Sequence, residues 1–90
     1  MNVEISKAFV KDVNVLPKKI KLIIFDLIKE IQSNSVKSPF DIKECFKLKG
    51  FNNLYKIRRG VYRVTFEYSE GKALLKRVLP RGQVYKKHNL

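Results

Sequence analysis

The stretch LYKIRRGVYRV, residues 54–64, predicts a β-hairpin whose two faces differ in chemistry. Side chains alternate between the two faces of a strand, so the apolar residues before and after the glycine fall on one face. The cations Lys56, Arg58 and Arg63 fall on the other face, with no acid among them. The hairpin therefore predicts one face for a hydrophobic core and one face with a surplus of positive charge.

The register of this hairpin follows from the position of its turn. Glycine adopts the positive φ that tight hairpin turns need, so we place a two-residue turn at Arg59-Gly60, with a slightly longer loop as the alternative. This turn sets Lys56 opposite Arg63, and the same counting places Val78 of the following strand on the other side of Arg63. Like charges in directly opposed positions destabilise a sheet, whereas an ordinary solvated face carries both signs. We therefore interpret the cationic face as a binding site for phosphate.

The overall charge points to an anionic partner. The chain has 90 residues, enough for one domain, with 20 Lys and Arg against 8 Asp and Glu, for a net charge of +12. Such a charge is typical of proteins that bind a polyanion, with an acidic protein or a membrane surface as alternatives. One cysteine and one histidine are too few for a structural zinc site. The chain lacks a run of roughly 20 apolar residues, so we expect a soluble, cytoplasmic protein without a membrane partner.

The rest of the sequence predicts an α+β fold. Residues 2–6 favour a short strand, residues 7–16 a helix, and residues 68–72 a turn before a strand over residues 72–79. A second helix begins at Pro17 and carries an apolar stripe at helical spacing. This stripe consists of Ile20, Ile23, Ile24, Leu27, Ile28 and Ile31. Because strands with one apolar face need a cover, we predict an N-terminal helical hairpin packed on a small, mainly antiparallel, twisted sheet.

A candidate site forms where the strands end. Pro80 ends the last strand, and Arg81 emerges just beyond it, level with Arg63. The residues expected to meet in this concave area are Lys56, Arg58, Arg63, Arg81 and Tyr85. The sequence offers no carboxylate pair, nucleophile triad, P-loop or cluster of metal ligands that we can place. Cations with one tyrosine can bind a phosphodiester, stack a base and stabilise charge that develops on phosphorus.

The chain contains, in this order, VEISKAFVKDV, the isoleucine-rich helix, FKLKG, LYKIRRGVYRV and RVLPRGQVYKK. These five segments, and their order, resemble the RelE/ParE superfamily of toxins from toxin–antitoxin systems. The last segment resembles the RNA-cleaving RelE-like branch rather than the ParE branch that poisons DNA gyrase. The resemblance implies a single toxin domain over residues 1–90 that acts with the ribosome. It implies an endoribonuclease without cofactor or metal, in which the ribose 2′-hydroxyl attacks the adjacent phosphate of mRNA in the ribosomal A site. It also implies a cognate antitoxin, which we expect to be acidic over the segment that covers the toxin.

The resemblance assigns roles residue by residue. Lys56 and Arg58 match the strand cations, Arg63 the phosphate-holding arginine, Arg81 the arginine near the leaving group and Tyr85 the terminal tyrosine. The chain departs from the family pattern at Pro80, where many relatives have a polar residue or histidine, and at His88, which lies beyond the tyrosine. The residues expected to contact RNA or the ribosome are Lys47, Lys49, Arg59, Lys86 and Lys87.

The residue types alone do not decide which side chain accepts the proton of the 2′-hydroxyl. Arginine cannot accept a proton at neutral pH, so the candidates are Tyr85, Lys56 and His88, with Tyr85 as the first choice. Neighbouring cations favour ionised Tyr85 and the neutral forms of Lys56 and His88. A non-enzymatic, ParE-like gyrase inhibitor and a plain nucleic-acid-binding module are the alternative functions.

Overall fold

The fold is described for residues 1–84 of a computed structural model. Its strands are β1 (Asn2–Ile5), β2 (Cys45–Lys47), β3 (Leu54–Arg59), β4 (Tyr62–Ser69) and β5 (Lys72–Pro80), and its helices are α1 (Lys7–Asn14), α2 (Lys18–Gln32) and the short α3 (Arg81–Val84). A single 3₁₀ turn at Pro39–Asp41, which the sequence did not predict, lies between α2 and β2 within these residues. No helix in this part of the chain is long and apolar enough to cross a membrane.

The strands form one sheet in the order β1-β5-β4-β3-β2. The pairs β2–β3, β3–β4 and β4–β5 are antiparallel, while β1 runs parallel to β5. Each antiparallel pair joins neighbours in sequence, as hairpin connections require. The predicted α+β architecture with a mainly antiparallel sheet is confirmed.

The helical hairpin shares one hydrophobic core with the apolar face of the sheet. Ser6 is the N-cap of helix α1: its hydroxyl accepts a hydrogen bond from the Phe9 amide at 3.1 Å and so satisfies one free N–H of the first turn. The core includes Phe9, Val13, Ile24, Leu27 and Ile31 from the helices and Ile57, Val64, Phe66 and Leu75 from the strands. The face predicted to be apolar is therefore the face that the helices cover.

The apolar stripe of α2 is narrower than predicted. Ile24, Leu27 and Ile31 are buried, and Ile20 and Ile28 pack against the core while partly exposed. Ile23 was predicted to join them but is 43 % exposed. It lies at one edge of the stripe, and the sheet covers only the central part of that arc.

The turn between β3 and β4 lies one residue later than predicted. Arg59 pairs with Tyr62, so the turn residues are Gly60 and Val61 rather than Arg59 and Gly60. Gly60 has φ +59° in the first turn position, as in a type II′ turn. A turn at Arg59-Gly60 of the favoured type I′ would have required positive φ at Arg59 as well, which is costly for a residue with a Cβ atom.

The later turn changes which residues of β3 and β4 lie opposite each other, but it leaves each side chain on its predicted face of the sheet. Arg63 lies opposite Arg58 rather than Lys56, and Lys56 lies opposite Thr65. The pairing moves by two residues in total, and because side chains alternate with a period of two, every side chain keeps its face. Two arginines, rather than a lysine and an arginine, thus face each other directly.

A β-bulge in β5 changes the residue of that strand that lies opposite Arg63. The β4–β5 pairing shifts between Thr65 and Phe66, where Lys76 has no directly opposed partner. This extra residue moves Arg63 opposite Leu79 instead of Val78. Val78 is thereby placed opposite Val64 in the core, where both side chains are buried.

An ion pair fastens α1 to the sheet. The Asp12 carboxylate accepts hydrogen bonds from Arg77 Nε at 2.8 Å, Arg77 Nη2 at 2.9 Å and the Val78 amide at 3.0 Å. The hydrogen bond to Asp12 raises the pKa of Arg77. Because these contacts join residues more than 60 positions apart in the chain, they orient α1 against β5.

Candidate anion-binding site

An open cavity of about 320 Å³ lies at the end of the sheet where β5 passes into α3. Its lining consists of Phe46, Lys47, Lys56, Arg58, Arg63 and Arg81. Four residues predicted to be catalytic, Lys56, Arg58, Arg63 and Arg81, therefore meet in one place. With Lys47, one of the predicted RNA contacts, the lining contributed by residues 1–84 has five basic side chains and no acidic one.

Strand pairing explains why these side chains converge. Phe46 lies opposite Lys56 across β2 and β3, and Arg58 lies opposite Arg63 across β3 and β4. Opposed residues of antiparallel strands point to the same face, here the face without the helices. Arg81 follows β5 directly, and its amide donates a 2.9 Å hydrogen bond to the carbonyl of Val61 in the hairpin turn. This bond ties the end of β5 to the rim of the cavity.

Arg63 is the most buried cation of the cavity, with 8 % of its surface exposed. Its Nη1 donates to the carbonyl oxygens of Gly60 and Tyr62, each at 3.0 Å, so the hairpin turn fixes the guanidinium. Within residues 1–84 no carboxylate forms an ion pair with Arg63. Burying a charge is unfavourable unless an opposite charge compensates it. An anion in the cavity would supply that charge.

Arg58 is paired, contrary to what the hairpin sequence alone predicts. Its Nε donates to Glu44 Oε1 at 3.0 Å, and its Nη2 forms an ion pair with the same oxygen. The hydrogen bond from Arg58 lowers the pKa of the Glu44 carboxyl. Glu44 lies 14 residues before Arg58, outside the hairpin, so alternation along the strands could not reveal it.

Arg59 does not belong to the cavity. It shares the face of Ile57 and lies on the side of the sheet that the helices cover. Its guanidinium lies 3.6 Å from a Glu30 carboxylate oxygen of α2 and donates to the Lys43 carbonyl at 2.9 Å. The side chain of Arg59 joins the sheet to α2 and to the segment before β2, and the expectation that it contacts RNA or the ribosome stays a prediction.

The remaining predicted residues are placed as follows. Lys49 is exposed in the turn after β2 and does not contribute to the cavity lining. Tyr85, Lys86, Lys87 and His88 lie outside the described residues. Sequence reasoning missed Phe46, whose ring is 48 % exposed and lines the cavity. The β2–β3 register would have revealed it, but no turn signal in the sequence fixes that register.

The lining defines what the cavity can do chemically. Arginine and lysine side chains bind phosphate oxygens and stabilise negative charge that develops on them. Among the described lining residues, only the two lysines, Lys47 and Lys56, can also act as a base, since arginine stays protonated. Phe46 offers an aromatic surface on which a nucleobase can stack. The arrangement fits a single-stranded phosphodiester better than a small neutral metabolite.

Comparison with known proteins identifies relatives over nearly the full length. The chain is 39 % identical over 89 residues to Toxin RelE3 of Methanocaldococcus jannaschii, covering 94 % of this chain and 96 % of that protein. No family model matches the chain.

Solved structures of RelE–RelB complexes also contain chains that are similar to this one over most of its length. The RelB–RelE antitoxin–toxin complex from Methanococcus jannaschii contains a chain that matches with a TM-score of 0.78 and 32 % identity, covering 91 % of this chain and 94 % of that chain. A chain of the archaeal RelE–RelB complex from Pyrococcus horikoshii OT3 matches with a TM-score of 0.70 and 27 % identity, covering 91 % of this chain and 96 % of that chain.

Proposed function

The chain belongs to the RelE family of toxins, and from this premise we propose that it is a ribosome-dependent endoribonuclease that cleaves mRNA in the ribosomal A site. In this proposal a ribose 2′-oxygen attacks the adjacent phosphorus and the 5′-oxygen of the next nucleotide leaves. The products are a 2′,3′-cyclic phosphate and a 5′-hydroxyl. The cavity holds the phosphate at which these bonds form and break.

The observation that carries the proposal is the environment of Arg63. A guanidinium that is 8 % exposed lines a cavity with four other basic residues, and no carboxylate of residues 1–84 is paired with it. A site built for a neutral ligand would gain nothing from this charge, whereas a phosphate gains several charge-assisted hydrogen bonds. Arg63 is thus assigned to hold a non-bridging oxygen of the scissile phosphate.

The other lining residues take complementary roles. Lys56 and Arg58 stabilise the charge that develops on phosphorus, and Arg81 stabilises the leaving 5′-oxygen. Tyr85 is the first candidate for the proton acceptor, with Lys56 and His88 as alternatives. The side chains themselves supply positive charge to the transition state, so we propose a reaction that does not depend on a metal ion. Lys47, Lys49, Lys86 and Lys87 contact the RNA or the ribosome.

Free RNA should be a poor substrate. Tyrosine, the first candidate, and lysine have ordinary pKa values of about 10, so few of these side chains are in the basic form at pH 7. A ribosome that aligns the 2′-oxygen with phosphorus and the leaving oxygen contributes through orientation instead. Because the protein supplies only a weak base and the ribosome supplies the alignment, we expect cleavage to depend on the ribosome.

The cellular setting follows from the same premise. The relatives RelE from two archaea were solved in complexes with the antitoxin RelB, and we assign this toxin a cognate antitoxin in the cytoplasm. The antitoxin segment that covers the toxin is acidic, because the toxin has a net charge of +12.

Induction of the chain in cells tests the proposal. The 5′ ends of messages are mapped before and after induction, with Arg81→Ala as the control, and plasmid supercoiling is measured in the same samples. New 5′ ends within translated codons are expected with the wild type only. Intact messages with relaxed plasmid and inhibited gyrase would contradict the proposal and support the ParE-like alternative.

A further inference from the structure

Glu44 contacts Arg58 with both its backbone and its side chain. Its carbonyl accepts a hydrogen bond from the Arg58 amide at 3.0 Å, and its carboxylate accepts one from Arg58 Nε, also at 3.0 Å. Glu44 lies directly before β2 with φ +56°, a left-handed conformation that is uncommon for a residue with a Cβ atom. Such conformations cost free energy and cluster at functional sites.

The contact uses one edge of the guanidinium. Nε and Nη2 of Arg58 each direct one N–H toward Glu44 Oε1. A guanidinium has five N–H donors in a rigid plane, so roughly three remain for a ligand in the cavity that Arg58 lines. A long side chain that would otherwise sample many rotamers is thereby held in one orientation.

Stability does not account for this arrangement. The side chains of Arg58 and Glu44 are 52 % and 35 % exposed, and ion pairs with such exposure contribute little to the free energy of folding. Arg58 also lies directly opposite Arg63, which repels it. The Glu44 carboxylate offsets this repulsion and allows both guanidinium groups to remain at the same cavity.

We propose that Glu44 is a positioning residue that holds Arg58 in the orientation required at the scissile phosphate, an inference that rests on the proposed ribonuclease function. Glu44 itself does not line the cavity. Its carboxylate is engaged by Arg58, which lowers its pKa and makes it a weak proton acceptor. Its effect on cleavage therefore passes through Arg58.

Glu44→Gly tests the proposal, because glycine tolerates the positive φ while the carboxylate is removed. The matched control is Glu70→Gly, which makes the same change at an exposed glutamate with φ +48° in the β4–β5 turn. Single-turnover cleavage on programmed ribosomes should fall on the order of tenfold in Glu44→Gly, since misplacing a catalytic group by about 1 Å can cost up to roughly 10²-fold. RNA affinity should stay the same or rise, because the variant loses a negative charge.

Two further variants separate positioning from other roles. Glu44→Gln retains one oxygen acceptor at the same place and should recover part of the lost rate. In an Arg58→Ala background, Glu44→Gly should have no additional effect on the rate. The proposal is overturned if Glu44→Gly cleaves as fast as Glu70→Gly, or if its rate loss persists in the Arg58→Ala background. A Glu44→Gly variant with both faster cleavage and tighter RNA binding would instead identify Glu44 as a competitor of phosphate.

One readout does not depend on cleavage. The Nε–H proton of Arg58 should exchange slowly and give a resolved NMR signal in the free wild type and in Glu70→Gly. The signal should be lost in Glu44→Gly. If the wild type does not cleave on ribosomes, the proposed function fails. The Nε–H signal still reports whether Glu44 holds Arg58, and its persistence in Glu44→Gly would contradict the inference.

Discussion

Arg58 and Arg63 lie directly opposite each other on β3 and β4, and both line the same cavity. This relationship is unfavourable for the isolated protein, because like charges in opposed positions destabilise a sheet. Glu44 compensates Arg58, whereas Arg63 has no carboxylate partner within residues 1–84. The positive charge left at this position is explained by the anion that the cavity is proposed to bind.

The first prediction concerns the salt dependence of RNA binding. The logarithm of the affinity for single-stranded RNA should fall with the logarithm of salt concentration by about 0.7 per phosphate neutralised. Lys56→Ala combined with Arg58→Ala should reduce this slope by about 1.4, as expected for two lost contacts. Lys18→Ala with Lys19→Ala, at the exposed start of α2, is the matched control. Equal slopes in both double variants would place the RNA elsewhere on the protein.

The second prediction separates catalysis from folding. Arg81 is exposed just after β5, so Arg81→Ala should leave the melting temperature unchanged. The single-turnover cleavage rate should fall at least ~10²-fold, the scale seen when one donor to a transition state is removed. Ribosome binding should weaken far less, because Lys56, Arg58 and Arg63 remain. Normal cleavage by Arg81→Ala would remove this residue from the mechanism.

The third prediction concerns the attachment of α1. Asp12→Ala removes the acceptor for Arg77 and for the Val78 amide, and should lower the free energy of unfolding by about 2–3 kcal/mol. This is less than a sum over the separate bonds, because bonds that share one carboxylate are not additive. Asp26→Ala, at an exposed position of α2, should change it by less than about 0.5 kcal/mol. Urea denaturation of both variants measures the difference. A similar midpoint for the two would show that the α1–β5 contact contributes little.

The fourth prediction concerns the thiol of Cys45. Burial raises its pKa to about 12, so the thiolate forms only at strongly alkaline pH. At pH 8 only about one molecule in 10⁴ carries the reactive thiolate, since each pKa unit is a factor of ten. Ellman's reagent should therefore react slowly with the native protein and rapidly after denaturation in urea. Equal rates before and after denaturation would contradict the raised pKa of the Cys45 thiol.

The two faces of the β3–β4 hairpin can be predicted from sequence even when its turn is misplaced by one residue, because side chains alternate along each strand. Placing the turn at Arg59-Gly60 gave the wrong partner for Arg63, but the true turn at Gly60-Val61 shifts the pairing by two and preserves both faces. Lys56, Arg58 and Arg63 were therefore assigned to the correct face. The convergence of these residues with Arg81 followed from the same alternation and from the end of β5 at Pro80.

Other features depend on contacts that no local pattern encodes. The pairing of β5 with β4 leaves Lys76 without an opposed residue, and this bulge places Arg63 opposite Leu79 rather than Val78. Glu44 reaches Arg58 because the segment before β2 passes beside the end of β3. Arg59 lies on the core side, where α2 supplies Glu30 as its partner. Each of these outcomes is set by tertiary packing, which overrides the expectation drawn from the hairpin alone.

The most direct test of ribosome-dependent cleavage uses the purified protein and ribosomes that hold a defined message. Ribosomes with initiator tRNA in the P site and an empty A site are mixed with excess protein, and the message is followed by primer extension. We expect a single cut within the A-site codon, a 2′,3′-cyclic phosphate on the upstream fragment, and little cleavage of the same RNA without ribosomes. A message that remains whole on the ribosome, or one that is cut equally well when free, would contradict this expectation.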